Sequence, residues 1–245
     1  MVRIGTAGWT IPKQHAALAP GEGTHLQRYA RICNCVEINS SFYRPHRAST
    51  WQRWAESTPD DFRFSVKLPK AITHEQKLSG NTSRLDAFFA EVSGLGDKLG
   101  VVLVQLPPKL AYDDCPATEF FEFLRSRWQG AVALEPRNAS WFTPVADELL
   151  VHHRIARVAA DPQLHGPVNV NGLAEPSGWP GLSYFRLHGS PHTYYSQYDP
   201  VVLESLSKAA HARTPEESSW VIFDNTALGH ALGNAVALKE ICVRT

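Results

Sequence analysis

Apolar and polar positions along this chain fall into two alternating patterns. Short apolar runs of strand length occur at residues 2–7, 34–39, 62–67, 101–106, 131–136, 155–160, 183–188 and 220–225. They are spaced by roughly 30 residues, the length of a βα unit. Between them, 48–57, 83–95, 117–128 and 231–241 carry apolar residues at helical spacing. Thr143-Pro144 and Asp199-Pro200 each put a capping side chain before a proline at the first helical position. Strands that alternate with helices in this way predict a parallel sheet. Eight of them predict a single (β/α)₈ TIM-like barrel over residues 1–245, a fold that typically needs about 250 residues. One connection breaks the rhythm. Residues 162–182 hold four prolines and four glycines and no helical period. The sixth helix is therefore expected to be shortened or replaced by a loop.

The runs share a second property: most end in a charge or an amide. The endings are Glu37, Lys67, Gln105, Glu135 with Arg137, Asp161, His188, and Asp224-Asn225. A parallel barrel gathers the C-terminal ends of its strands around one mouth, so these scattered residues become neighbours. Alternation sorts them further, because successive strand side chains point to opposite faces. Val36 and Ile38 oppose Cys35, Glu37 and Asn39. Phe64 and Val66 oppose Arg63, Ser65 and Lys67. Phe185 and Leu187 oppose Tyr184, Arg186 and His188. With the apolar face on the helices, the polar face points inward. Arg63, Lys67, Arg137 and Arg186 then meet Glu37, Glu135 and Asp161, with His188 beside them. Buried charges are costly unless paired. Internal pairing accounts for most of this set, and the small positive excess points to an anionic ligand.

Composition narrows the classes. The net charge is +0, with 24 basic and 24 acidic residues, which weighs against non-specific nucleic-acid binding but leaves room for a local basic patch. No apolar run approaches the roughly 20 residues of a membrane span. The first residues run from Met1 straight into a strand pattern, so no signal peptide is expected. Cys33, Cys35, Cys115 and Cys242 lack zinc or CxxC spacing and read as free thiols of a cytoplasmic protein.

The motifs in their order resemble the YecE-like proteins, domain of unknown function 72. They are GTAGW (5–9), VEINSSFYR (36–44), Trp51 and Trp54 before TP (58–59), FRFSVK (62–67), ITH (72–74), QLPP (105–108), EPRNASW (135–141), RLHG (186–189), FDN (223–225) and Asn234-Ala235. The likeness covers nearly the whole chain. It implies a TIM-barrel fold and assigns no activity. Pro136 and Asn138 depart from the family's Phe and His, and Asp224 stands where Asn is commoner.

Candidate chemistry follows from these residues. Glu37 and Glu135 are a candidate acid/base pair. Lys67 is a candidate anion holder or imine-forming amine. Arg137 and Arg186 are candidate anion holders, and His188 is a second acid/base group. Trp9 and Trp141 follow strand ends, where they would stack on a sugar or base. Asn39, Tyr43, His74, Gln105, Asp161 and Asn225 are candidate orienting groups. Tyr194, Tyr195 and Tyr198 mark a candidate lid. No cofactor is expected. A divalent metal is disfavoured by the nearby cations. The expected partner is a small phosphate- or carboxylate-bearing ligand of an enzyme. The alternatives are nucleic acid in the mouth, or a non-catalytic sensor or adaptor.

Overall fold

A computed structural model describes residues 2–80, 82–163, 165–166, 168, 172–211 and 217–244. It is a mixed α/β fold. Its strands are β1 (Val2–Thr6), β2 (Cys35–Ile38), β3 (Arg63–Lys67), β4 (Leu99–Gln105), β5 (Ala131–Glu135), β6 (Ile155–Arg157), β7 (Ala159–Asp161), β8 (Ser177–Gly178), β9 (Leu182–Leu187) and β10 (Ser218–Phe223). The helices are α1 (His25–Tyr29), α2 (Ser40–Tyr43), α3 (Ala48–Glu56), α4 (Thr82–Val92), α5 (Asp114–Arg127), α6 (Pro144–His152), α7 (Pro200–His211) and α8 (His230–Arg244). A single π-helical turn, Ala71–Glu75, follows β3.

The expected caps form. Thr143 accepts from Ala146 N ahead of Pro144, and Asp199 accepts from Val202 N ahead of Pro200. Each satisfies a backbone donor that a helix start leaves unpaired. No helix among the described residues is long and apolar enough to cross a membrane.

The strands form two sheets, ordered β1-β10-β9-β7 and β2-β3-β4-β5-β6-β8. All pairs are parallel except β6 with the two-residue β8. The expected sixth strand is divided at Val158. Residues 155–157 pair with β5, Val158 N still donates to Leu134 O at 2.8 Å, and 159–161 pair with β9. One stretch of chain thus serves both sheets.

The sheets also meet at β1 and β2, and there side chains do much of the joining. The Tyr29 hydroxyl accepts from Thr6 N at 2.8 Å and donates to Cys35 O at 2.9 Å. Asn34 accepts from Ile4 N and donates to Val2 O. Only at the top does backbone meet backbone, where Gly8 N donates to Glu37 O at 2.8 Å. Gly5 permits this approach, since a Cβ there would lie 2.1 Å from the Cys35 carbonyl oxygen.

Alternation divides the interior as expected. One apolar cluster lies between sheets and helices, with Val36, Phe64, Val66, Leu134 and Phe185 among its members. A smaller one lies between the two sheets: Cys35, Val101, Leu103, Ala133, Ala156, Val158, Leu182, Tyr184, Trp220 and Ile222. The charged strand ends sit on this second face. Among the described residues between Asp161 and Ser177 there is no helix, in line with the expected loop; residues 164, 167 and 169–171 of that stretch lie outside the description.

Candidate functional site

Arg186 on β9 is the hub of the charged layer. It is 1% exposed. Its Nε and Nη2 donate to the two Glu37 oxygens at 2.9 and 2.7 Å. Nη1 donates to Glu135 Oε2, and Nη2 also reaches Asp224 Oδ2 at 3.1 Å. The remaining Nη1 contact is His188 Nε2 at 3.5 Å. Burial alone would weaken this guanidinium, but Glu135, Glu37 and Asp224 raise its pKa well above the ordinary value.

Glu37 and Glu135 are saturated in turn. Glu37 accepts from Arg186 and from the Tyr184 hydroxyl, and it has no exposed surface. Glu135 Oε1 accepts from Gln105 Nε2 at 3.0 Å and from Arg137 Nη2 at 2.7 Å. Burial would raise the Glu135 carboxyl, but Arg186, then His188 and Arg137, hold it well below the usual range. His188 lies between Asp224 (Nδ1–Oδ2 3.0 Å) and Glu135 (Nε2–Oε1 3.4 Å). Burial and Arg186 oppose its imidazolium, yet the bonds to Asp224 and Glu135 win and its pKa is raised.

With His188 in its imidazolium form, the form its raised pKa favours, these charges cancel: Glu37, Glu135 and Asp224 face Arg186, Arg137 and His188. Lys67 is left over. It ends β3, is 8% exposed, and its Nζ lies 4.1 Å from the centre of the Phe42 ring. Among the described residues that amine has no hydrogen bond and no carboxylate within ion-pair distance. Burial, then Arg186, push it down to about 8. His74, in the π-helical turn, packs edge-on against the same Phe42 ring. Burial, then Lys67, Lys70 and Arg137, lower its pKa. Lys67, His74 and Arg137 therefore share one electrostatic neighbourhood. Beside Arg137 and His188 a cavity of about 70 Å³ opens, lined also by Glu135, Phe142, His165 and Thr193.

Several expected residues lie elsewhere. Arg63 is at the N-terminal end of β3, where it donates to Asp60 O and Phe62 O, because a strand's charges reach the mouth only from its last residues. Asp161 has the outward parity of Ile155 and Ala159. It accepts from the Tyr198 hydroxyl at 2.5 Å, and burial raises its pKa. Tyr198 is thereby buried, while Tyr194 packs edge-on against His188 and Tyr195 is exposed. Trp141 is 1% exposed, donates to Leu110 O and packs on Tyr112, so it cannot stack on a ligand. Trp9 packs edge-on against Trp54. Tyr43 is 78% exposed and lines a separate 410 Å³ groove with Arg44, Lys70 and Arg84. Asn225 is tied to Ser196 O and Asn234. Asn39 keeps a buried Oδ1 without a partner among the described residues.

Three participants lie outside the candidate chemistry: Tyr184, Phe42 and the strand ending Asp224. Parity marks two of them. Asp224 shares the inward face of Trp220 and Ile222, and Tyr184 that of Arg186. Among the described residues, no group of three or more His, Cys, Asp or Glu is arranged to hold a metal ion.

Comparison with known proteins agrees with the arrangement of strands. The family model described as "Protein of unknown function DUF72" matches residues 3–244. UPF0759 protein YunF of Bacillus subtilis (strain 168) is 32% identical, over 98% of this chain and 94% of its own length. UPF0759 protein YecE of Escherichia coli (strain K12) is 34% identical over 121 residues; the match spans 49% of this chain and 43% of that protein. Two solved structures have a similar fold. A DUF72 family protein from Enterococcus faecalis V583 superposes with a TM-score of 0.81 at 21% identity, covering 99% of this chain and 96% of the other. One from Thermotoga maritima MSB8 gives 0.77 at 24% identity, covering 98% of each.

Proposed function

The chain belongs to the DUF72 family, and from that premise we propose that it is a single-domain enzyme whose mouth binds a small anionic metabolite, such as a sugar phosphate or nucleotide fragment. The two sheets are read here as one eight-stranded (β/α)₈ barrel. Two features support closure: the β1–β2 contact through Tyr29, Asn34 and Gly8, and the 155–161 stretch that pairs with both sheets. The strand C-termini then surround one opening.

The observation that carries the reading is Lys67. Every other buried charge of the layer is matched within it, so a cation without a partner has its counter-charge still to come. Arg137 adds a second contact, since its Nη1 makes no bond among the described residues while Nε and Nη2 hold Glu135. Arg186 and Glu37 have no free edge and serve as scaffold. His188, steadied by Asp224, lines the 70 Å³ cavity and serves as its proton carrier.

Thermal shift with glycerol phosphate, ribose 5-phosphate, nucleoside monophosphates and dicarboxylates tests the proposal. A ligand at 100 times its Kd stabilises by about 2.7 kcal/mol. At least one small anion is expected to stabilise the protein, with the shift abolished in Lys67→Met and reduced in Arg137→Ala. If no small anion shifts the unfolding temperature, the reading fails.

The exposed Tyr43 beside Arg44 and Arg84 supports a second reading, an oligonucleotide running along that groove, although Glu75, which pairs with Lys70, and Glu91 line it too. It requires binding that weakens steeply as salt rises.

A further inference from the structure

We infer that Lys67 is a nucleophile that condenses with the aldehyde or ketone of a small anionic metabolite, while Arg137 takes the anion. This rests on the anion-pocket reading above and names the substrate class for it.

An amine that is to attack a carbonyl must be free of a carboxylate, which would fix its proton. It must be held in a place that disfavours charge yet keep some surface open, and Lys67 is 8% exposed. Of the chain's eight lysines, Lys67 alone is buried. Lys98 and Lys239 spend their amines on backbone carbonyls. Three carboxylates lie on the same inner layer as Lys67, yet Arg186 has claimed all of them. Arg186 thus acts on Lys67 twice. It removes the acids that would pair with the amine, and its own charge repels the amine's proton. An amine titrating near 8 is free in roughly a tenth of molecules at pH 7, against fewer than about one in a thousand for an ordinary lysine. The Phe42 ring face, 4.1 Å from Nζ, favours the ammonium, as do Glu135, Glu37 and Asp224 at longer range, and burial and Arg186 outweigh them.

The step balances without any further reagent. The neutral amine's lone pair forms the C–N bond, and the carbonyl π pair moves to oxygen. Counted from the ammonium form, two of its three protons leave with that oxygen as water. The third stays on the protonated imine, which keeps the positive charge. The charge layer therefore sees the same cation before and after.

The test uses two matched pairs of probes on the full chain. Dihydroxyacetone phosphate and pyruvate carry a carbonyl. Glycerol 3-phosphate and lactate carry the same anions with a hydroxyl in its place. Protein is mixed with each carbonyl probe at pH 7, reduced with borohydride and mapped by peptide mass, while the hydroxyl probes are scored by thermal shift. The expected result is one adduct, at Lys67, at least tenfold above any exposed lysine, competed by the matching hydroxyl probe and absent in Lys67→Arg. If glycerol 3-phosphate or lactate binds but neither carbonyl probe marks Lys67 above the exposed lysines, the amine only anchors anions; the inference is overturned and the anion pocket stands. If none of these probes marks Lys67 or shifts the protein, the inference is overturned, and the anion pocket falls with it if ribose 5-phosphate, nucleoside monophosphates and dicarboxylates are silent too. Because the adduct is sought in the unaltered chain, the test does not depend on a variant folding.

Discussion

The β9 side of the charged layer and its β3 side each bury one cation, and they treat it in opposite ways. Arg186 is enclosed by three carboxylates that leave no edge free. Lys67 faces an aromatic ring and the same Arg186. The difference is a matter of geometry as much as of charge. A planar guanidinium can bind several carboxylates in fixed directions, whereas an ammonium is a single point. Once the arginine is seated, no acid remains for the lysine. The first cation holds the layer together, and the second costs stability and is available for a ligand.

Substitutions at the two sites should therefore have opposite signs. Arg186→Met strands two buried carboxylates and the half-buried Asp224, and should destabilise by about 3–5 kcal/mol, read as a lower urea midpoint. Adding Glu37→Gln should recover part of the loss. Lys67→Met should stabilise at pH 7, by up to about 3 kcal/mol for an amine pushed down to about 8. The folded-state pKa lies below the unfolded one, so the unfolded chain binds more protons between about pH 8 and 10.5 and wild-type stability rises across that window. The advantage of the methionine must shrink there. Were Lys67→Met to destabilise as Arg186→Met does, the contrast between the two sites would collapse. His188→Gln should cost about 2 kcal/mol at pH 6. The His188 pKa is raised, so its contribution is complete below its unfolded value and fades as pH climbs through the folded one. The penalty at pH 9 must be smaller. Lys70→Ala, which breaks an exposed pair with Glu75 at 3.8 Å, should change stability by less than about 0.5 kcal/mol.

The parallel strands and their inward charges were legible because a strand's period of two separates the faces cleanly. Tyr184, Arg186 and His188 were placed by that rule alone. The same rule, followed on the eighth run, picks Asp224 over Asn225, since Trp220 and Ile222 share its face. It also turns Asp161 outward toward Tyr198. Pairing was not legible. Nothing in the spacing of 37, 135 and 224 says that one arginine takes all three carboxylates, because that choice depends on reach across the layer. Trp141 and Tyr43 escaped for a related reason. Each follows a strand end, but the short helical turn that carries it decides whether it folds under Leu110 or stands out in solvent.

The β1–β2 contact has a consequence of its own. Most parallel pairing is carried by peptide groups, which every residue supplies, so a ladder shifted along the strand loses little in backbone bonding. Here the Tyr29 hydroxyl fits only between Thr6 N and Cys35 O, and the Asn34 amide only between Ile4 N and Val2 O. Slide β1 by one residue and both side chains face the wrong groups. Two residues outside the strands thus act as an alignment key, fixing how far the first strand is threaded against the second and, through β1, where its charged neighbours come level.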